Sequence, residues 1–229
     1  MLKPIRIAIV GDYNYTSAAH QSTNLAIGHA AEKLEIEVDY FWIRLYEAIE
    51  LKNSDLKNYD GVWFAPNPFN NLFFLDEILD KTLDANIPIF ITGMGFRRFI
   101  KALVRKFHLN PNNEKTITEN LLPDKLTKFE EFEIKTLRKT ISAFYGNQPQ
   151  NELSNVQYSI YPDFLPDLCE IVDIEAINQY EDPTIISLKG RPFCVATMTL
   201  PQLTSIKDHP HPLISGFLNF IRNSKAESI

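Results

Sequence analysis

Cysteine is scarce in this chain: two in 229 residues, Cys169 and Cys194. They form no C-x-x-C pair, which argues against a disulfide framework or a zinc site. Long apolar runs are missing as well. The longest, such as Ile87 to Ile91, fall far short of the roughly 20 residues a membrane-spanning helix needs. A basic stripe is also lacking. Lys and Arg number 23 against 29 Asp and Glu, a net charge of -6 with a pI near 5.4, so nucleic acid is not an expected partner. The nearest basic cluster, Lys101 to Lys106, is spaced as the solvated face of a helix. No G-x-x-x-x-G-K-[ST] loop for ATP phosphates occurs, and no cofactor is expected. Met1-Leu2-Lys3-Pro4 enters a strand directly without an apolar leader, which gives the expectation of a cytoplasmic protein.

What is present reads as one globular domain over 1–229, with 45% apolar and 23% charged residues and length enough to bury a sizeable core. Ile5 to Val10 is a buried-strand pattern closed by Gly11-Asp12. Thr16 or Ser17 can cap a helix over Ala18 to Leu34, with Leu25, Ile27, Ala30, Ala31 and Leu34 on its apolar stripe. Val38 to Ile43 and Gly61 to Ala65 read as strands, and Pro66-Asn67-Pro68 breaks the second. Leu72 to Ala85 reads as a helix, Ile87 to Ile91 as a strand, and Phe96 to Phe107 as another helix. This alternation predicts an α/β fold: a doubly wound, mostly parallel central sheet with helices on both faces, flavodoxin-like.

Beyond His108 the pattern weakens, and residues 109–155 assign no clear element. Lys125 to Lys139 mixes apolar and charged residues, the acidic run Glu130 to Glu133 reads as a solvated face, and Asn147 to Asn155 reads as a polar surface loop. Val156 to Tyr161, Ile185 to Leu188 and Phe193 to Met198 are strand candidates, and Pro212 to Arg222 supplies a closing helix.

The chain is organised around Ile91-Thr92-Gly93-Met94-Gly95, where a β-branched run turns abruptly into a helix. Sharp strand-to-helix turns of this kind expose a nucleophile, in the pattern G-x-nucleophile-x-G. Here Ile91 takes the first small position, Gly93 the centre, and only Gly95 keeps the pattern.

Taken with Ile7 to Tyr13, Ala19-His20-Gln21-Ser22, Gly28-His29-Ala30, Asp60 to Pro66, Val195 to Gln202 and His211 to Leu218, the chain resembles the class I glutamine amidotransferases. The resemblance is greatest to the amidotransferase domain of CTP synthase and to free-standing proteins related to that C-terminal region. It covers nearly the whole chain. It implies a flavodoxin-like amidotransferase fold and a Cys-His-Glu triad, in which an imidazole keeps a thiolate ionised and a carboxylate orients the imidazole. The triad positions fall on Gly93, Leu200 and Gln202, none of which can do that work. The glycine-rich oxyanion loop falls on Pro66-Asn67-Pro68, and a proline has no N–H to donate. The expectation is a catalytically degenerate, small-molecule-binding or regulatory protein. Its ligand would be a small anionic metabolite, held at the former active-site mouth by Asn67, Gly93, Met94, Arg97 and His20.

Two readings stand for several residues. Cys194 is a replacement nucleophile or a buried core residue, and the second is favoured because free cysteines are among the most buried side chains. His20 faces the pocket above the strands' carboxyl ends, where it could serve a rebuilt hydrolase, or it packs locally; the second is favoured. His209 and His211 bind a metal or form a rigid turn before the last helix, and the turn is favoured. Arg97 and Arg98 open the helix after the elbow, where they meet an anion or lie in solvent, with no preference. A protein-interaction scaffold is a further alternative, pairing with a partner protein or with a second copy.

Overall fold

The computed structural model describes residues 3–66, 69–109, 115–120, 129–145 and 150–227. Its first half follows the alternation in the sequence. β1 (Ile5–Val10), α1 (Ala18–Leu34), β2 (Val38–Ile43), the short α2 (Leu45–Ala48) and α3 (Asn53–Leu56), β3 (Gly61–Phe64), α4 (Leu72–Ala85), β4 (Ile89–Thr92) and α5 (Gly95–Lys106) come in order. The second half contributes β5 (Ile117–Asn120), β6 (Glu130–Thr136), α6 (Lys139–Tyr145), β7 (Gln150–Ser154) and β8 (Gln157–Ile160). It continues with α7 (Leu165–Ile171), β9 (Val172–Ile177), β10 (Pro183–Leu188), β11 (Cys194–Thr197), a 3₁₀ turn (Pro201–Leu203) and α8 (Pro212–Glu227).

The main sheet has the order β2-β1-β3-β4-β11-β10-β9-β6-β7. β2, β1, β3, β4 and β11 run parallel, and β10, β9, β6 and β7 extend the sheet antiparallel. Strands buried on both faces read as continuous apolar runs rather than alternating ones, and β1 shows why. Ile5, Ile7 and Ile9 point into one core with α1, α6 and α8, while Ala8 and Val10 point into the other with α4 and α5. Helices therefore cover both faces, as the pattern predicted.

Local chemistry sets the helix ends. Ser17 accepts the His20 N–H at the start of α1, and Asn71 accepts the Phe73 and Phe74 N–H groups at the start of α4. Glu35 and Asn86 close α1 and α4 in the left-handed conformation. Asp76, Asp80 and Asp84 along α4 pair with Arg98, Arg105 and Lys106 of α5, which fixes the register of the two helices.

Two expectations need correction, and two hold with a context the sequence did not give. Leu25 does not join the core stripe of α1: it is 61% exposed, and Ala26 with Thr23 takes its place. Residues 150–154 form an edge strand rather than a surface loop, because Glu152 and Ser154 find buried hydrogen-bond partners. The acidic run lies on β6, where Glu131 and Glu133 face outward and Phe132 between them is fully buried. Val156–Tyr161 does contribute a strand, β8, but it pairs with β5 in a separate two-stranded sheet.

Phe217 of α8 lies 5.7 Å from the Phe90 ring and 5.3 Å from the Phe193 ring, fully buried against the central strands. Phe217→Ala is expected to lower unfolding free energy by about 3–5 kcal/mol. Leu25→Ala is expected to change it by less than about 0.5 kcal/mol. Urea titrations of the two variants check both values.

Candidate functional site

The site is built where β4 turns into α5. Gly93 sits at φ 62°, in the left-handed region, where a residue with a Cβ pays a steric cost. Its N–H donates to the Thr199 carbonyl at 3.3 Å, and its own carbonyl accepts from Phe96 N–H at 3.0 Å. The first of these bonds ties the elbow to the segment after β11. Below it, Trp63 Nε1–H donates to Thr92 Oγ at 3.2 Å, and Thr92 in turn donates to the Phe64 carbonyl, linking β3 and β4. A Cβ at Gly95 would come within 2.6 Å of Ile91 Cγ2. Ile91 thus occupies the space that a small residue would leave, and Gly95 is the only fit opposite it.

The segment after β11 carries Leu200 and Gln202, where the resemblance implied the other two triad members. Leu200 is fully buried, and its N–H donates to the Leu153 carbonyl at 2.7 Å. Gln202, two residues on in the 3₁₀ turn, is 2% exposed, and neither end of its amide has a partner among the described residues. Thr197 and Thr199 share a hydrogen bond of 2.8 Å between their hydroxyls. Nothing at Gly93, Leu200 or Gln202 offers a nucleophile or a proton acceptor of imidazole strength.

The residues expected at the mouth take different places. Gly93 and Met94 are at the elbow, buried and half-buried. Arg97 is half-buried but engaged: its Nη1 lies 3.0 Å from Glu119 Oε2 on β5, and its guanidinium sits 5.9 Å from the Tyr158 ring centre on β8. It holds the small β5–β8 sheet onto α5 rather than standing free for an anion. Arg98 pairs with Asp76, so neither arginine is the solvated one of the alternative reading. Asn67 and Pro68 lie outside the described residues.

His20 is fully buried and has both ring nitrogens in use. Asn14 N–H donates to Nδ1 at 2.9 Å, so Nδ1 carries the lone pair, and Nε2–H donates to the Pro66 carbonyl at 2.9 Å. The ring packs against Trp42 and Tyr13. Burial pushes its pKa below the ordinary 6.5, opposed by the Pro66 hydrogen bond and the Asp12 charge. It ties the loop after β1 to the loop after β3. Cys194 is 2% exposed within the α4–α5 core, and burial raises its thiol pKa to about 12. A thiol this far from ionising is a poor nucleophile.

His211 caps α8: its Nδ1 accepts the Leu213 N–H at 3.2 Å, and its Nε2–H donates to Glu152 Oε1 at 2.5 Å. Tyr145 donates to the same oxygen at 2.9 Å. His209 is exposed nearby, and among the described residues no group of three or more His, Cys, Asp or Glu side chains could hold a metal.

An open cleft of about 500 Å³ lies at the carboxyl ends of β1, β2 and β3. Asp12, Tyr13, Arg44, Tyr46, Asn70 and Phe74 line it. Asp12 accepts the Leu45 and Asn70 N–H groups, each at 3.3 Å, and so binds the three loops together. Arg44 is fully exposed and its Nη1 donates to Tyr46 Oη at 3.4 Å; the Glu47 and Asp12 charges act on it, though no carboxylate forms an ion pair with it among the described residues. Sequence reasoning placed a pocket at the strands' carboxyl ends but missed Asp12 and Arg44 as its lining. The signal was available, because ligands of open α/β sheets bind outside the carboxyl ends of the strands, at the point where strand order reverses. In this sheet that point lies between β1 and β3.

Elbow, parallel core and antiparallel extension together define an amidotransferase-type α/β fold. No protein-family model matches the chain. In sequence it is similar to CTP synthases. It is 27% identical over 237 aligned positions to the CTP synthase of Onion yellows phytoplasma, covering 94% of this chain and 44% of that protein. It is 24% identical to the CTP synthase of Clostridium kluyveri, covering 97% of this chain and 45% of that protein. The chain thus spans less than half the length of these relatives. In structure it is similar to the glutaminase domain of Trypanosoma brucei CTP synthase with bound acivicin (TM-score 0.79, 16% identity, 96% of this chain and 94% of that one). It also resembles a protein described as a GMP synthase subunit from Thermoplasma acidophilum (TM-score 0.63, 18% identity, 99% and 96%). The chain is therefore related to CTP synthase and has the fold of its glutaminase domain.

Two outcomes follow from the buried groups. Because folding lowers the His20 pKa, the unfolded chain binds a proton that the fold refuses. The stability held at neutral pH should fall as pH drops through about 6.5, the unfolded value. Urea midpoints at pH 7.5 and 5.5 should differ less in His20→Asn than in wild type; equal differences would contradict the assignment. Cys194 should label with a thiol reagent only at the rate of unfolding, as mass spectrometry under native conditions would read; stoichiometric labelling within minutes would contradict it.

Proposed function

We propose that this chain is a CTP synthase-related amidotransferase-like protein that does not hydrolyse glutamine and serves as a small-molecule-binding or regulatory protein. The observation that supports the reading is that Gly93, Leu200 and Gln202, the positions the resemblance implies for the triad, lie at the β4–α5 turn and on the segment after β11 that is hydrogen-bonded to it. Loss of a nucleophile or its base alone costs on the order of 10⁶-fold in turnover. A rebuilt hydrolase using Cys194 or His20 is disfavoured by the buried, un-ionised thiol and by the two occupied ring nitrogens.

The ligand we assign is a small anionic metabolite. Arg97 is committed to Glu119, so the cation that supports anion binding is Arg44, at the mouth of the cleft with Tyr13 and Tyr46 beside it. A guanidinium offers paired donors to a carboxylate or phosphate. A thermal-shift panel of carboxylates, phosphates and nucleotides tests this. A ligand at 100 times its dissociation constant should stabilise wild type by about 2.7 kcal/mol, and Arg44→Ala should lose that gain while Arg97→Ala keeps it. No stabilisation by any anion, or equal stabilisation of wild type and Arg44→Ala, would overturn the assignment.

A further inference from the structure

β2 is the end strand of the nine-stranded sheet and pairs only with β1. Its hydrogen-bonding pattern fixes what it shows to the outside. The carbonyls of Glu37 and Ile43 accept from Ile5 and Gly11 N–H, and the register sets Ile5 beside Val38, Ile7 beside Tyr40 and Ile9 beside Trp42. In a parallel pair this turns the backbone groups of odd-numbered residues toward β1 and those of Val38, Tyr40 and Trp42 away from it. Among the described residues no hydrogen bond reaches those outward groups.

Edge strands are commonly blunted by lysine, proline, a bulge or a covering element. β2 has no lysine or proline and no bulge in its pairing with β1. Tyr40 and Phe41 are 39% and 40% exposed. Arg6 of β1 lies over the Phe41 ring at 5.4 Å, on the same face as Asp39, and neither Arg6 nor Asp39 has a side-chain ion pair among the described residues.

We infer that two copies of the chain join through β2, antiparallel about a two-fold axis, into one continuous sheet. An isologous contact must be self-complementary, and among axes at the middle of the strand, Asp39, Tyr40 and Phe41, one register is favoured. Directly opposed residues in an antiparallel pair both face each other or both face away, so the axis passes beside a single residue rather than between two. Centred on Asp39, it would oppose two like charges, which is destabilising. Centred on Phe41, it would set each Asp39 against the buried Ile43 of the other copy. Centred on Tyr40, it opposes Tyr40 to Tyr40 and Val38 to Trp42, with about six main-chain hydrogen bonds.

The Tyr40 register also sets each Asp39 against the Phe41 ring of the other copy, over which that copy's Arg6 guanidinium lies. Two symmetric Asp39–Arg6 pairs result, each using a charge that the single chain leaves unpaired. The occupant is therefore a second copy, chosen by backbone pattern and charge together. The same register places Ile36 of the second copy opposite Arg44, at the rim of the cleft.

The test uses the full-length chain in sedimentation over a concentration series, with three variants. Wild type should reach twice 26.4 kDa as concentration rises. Tyr40→Pro removes an outward N–H that the single chain does not use, so its circular dichroism should stay native while the dimer is lost. In a Cys169→Ser background, Tyr40→Cys should form an intermolecular disulfide on mild oxidation. Residues on the axis in a hydrogen-bonded pair are about 5.5 Å apart between Cα atoms, within disulfide reach. Val38→Cys should not cross-link. A wild type that stays monomeric at every concentration would overturn the inference. So would a Tyr40→Pro variant as dimeric as wild type, or equal cross-linking at positions 38 and 40.

Discussion

Everything at the site depends on the left-handed turn at Gly93. The chain leaves β4 with its strand buried on both faces and must enter α5 within two residues. Only a residue at φ 62° achieves that, and the Gly93 N–H bond to Thr199 holds the turn against the neighbouring strand. In an active elbow this geometry is a source of strain, because the residue there must carry a reactive side chain. A glycine removes the cost, of about 1–2 kcal/mol for an L residue, and removes the chemistry with it. Ile91 then fills the space beneath, leaving Gly95 as the one small residue the turn requires.

Other polar side chains of the fold are held in structural contacts. Arg97 holds the β5–β8 sheet through Glu119. His20 is a neutral bridge between two loops. His211, with Glu152 and Tyr145, caps the last helix. Burial, reinforced by the Glu152 charge, raises the Tyr145 pKa well above its ordinary value, so the hydroxyl stays a donor. Each of these side chains is engaged in a contact inside the fold. A cluster of polar side chains open to a ligand lies beyond β1 and β2, around Asp12 and Arg44.

The parallel half of the fold was legible in the sequence because its signals are local. β1 and β2 run over the predicted residues, α1 and α4 have the predicted spans, and Ser17 is a cap whose chemistry is visible in one residue. The elbow was legible from Gly93 and Gly95 alone. The antiparallel half was not. β7 reads as a loop because Glu152 and Ser154 are polar, and their burial depends on partners, His211 and Met198, that lie 59 and 44 residues away. The partner of Arg97 was hidden for the same reason, since Glu119 comes to it from a separate sheet. Helical spacing placed Leu25 inward, but the axis of the buried stripe runs through Ala26 and Ala30, small residues that let α1 lie close to the sheet. Long-range pairing and close packing of small residues leave little trace in a local pattern.

The central claim is that the turn at Gly93 carries no glutaminase chemistry, and the most direct measurement is the intact mass of the purified chain after incubation with an electrophilic glutamine analogue, with ammonia release from glutamine followed in parallel. The account predicts an unchanged mass and no ammonia above background. A covalent adduct at any residue, together with ammonia release, would contradict it.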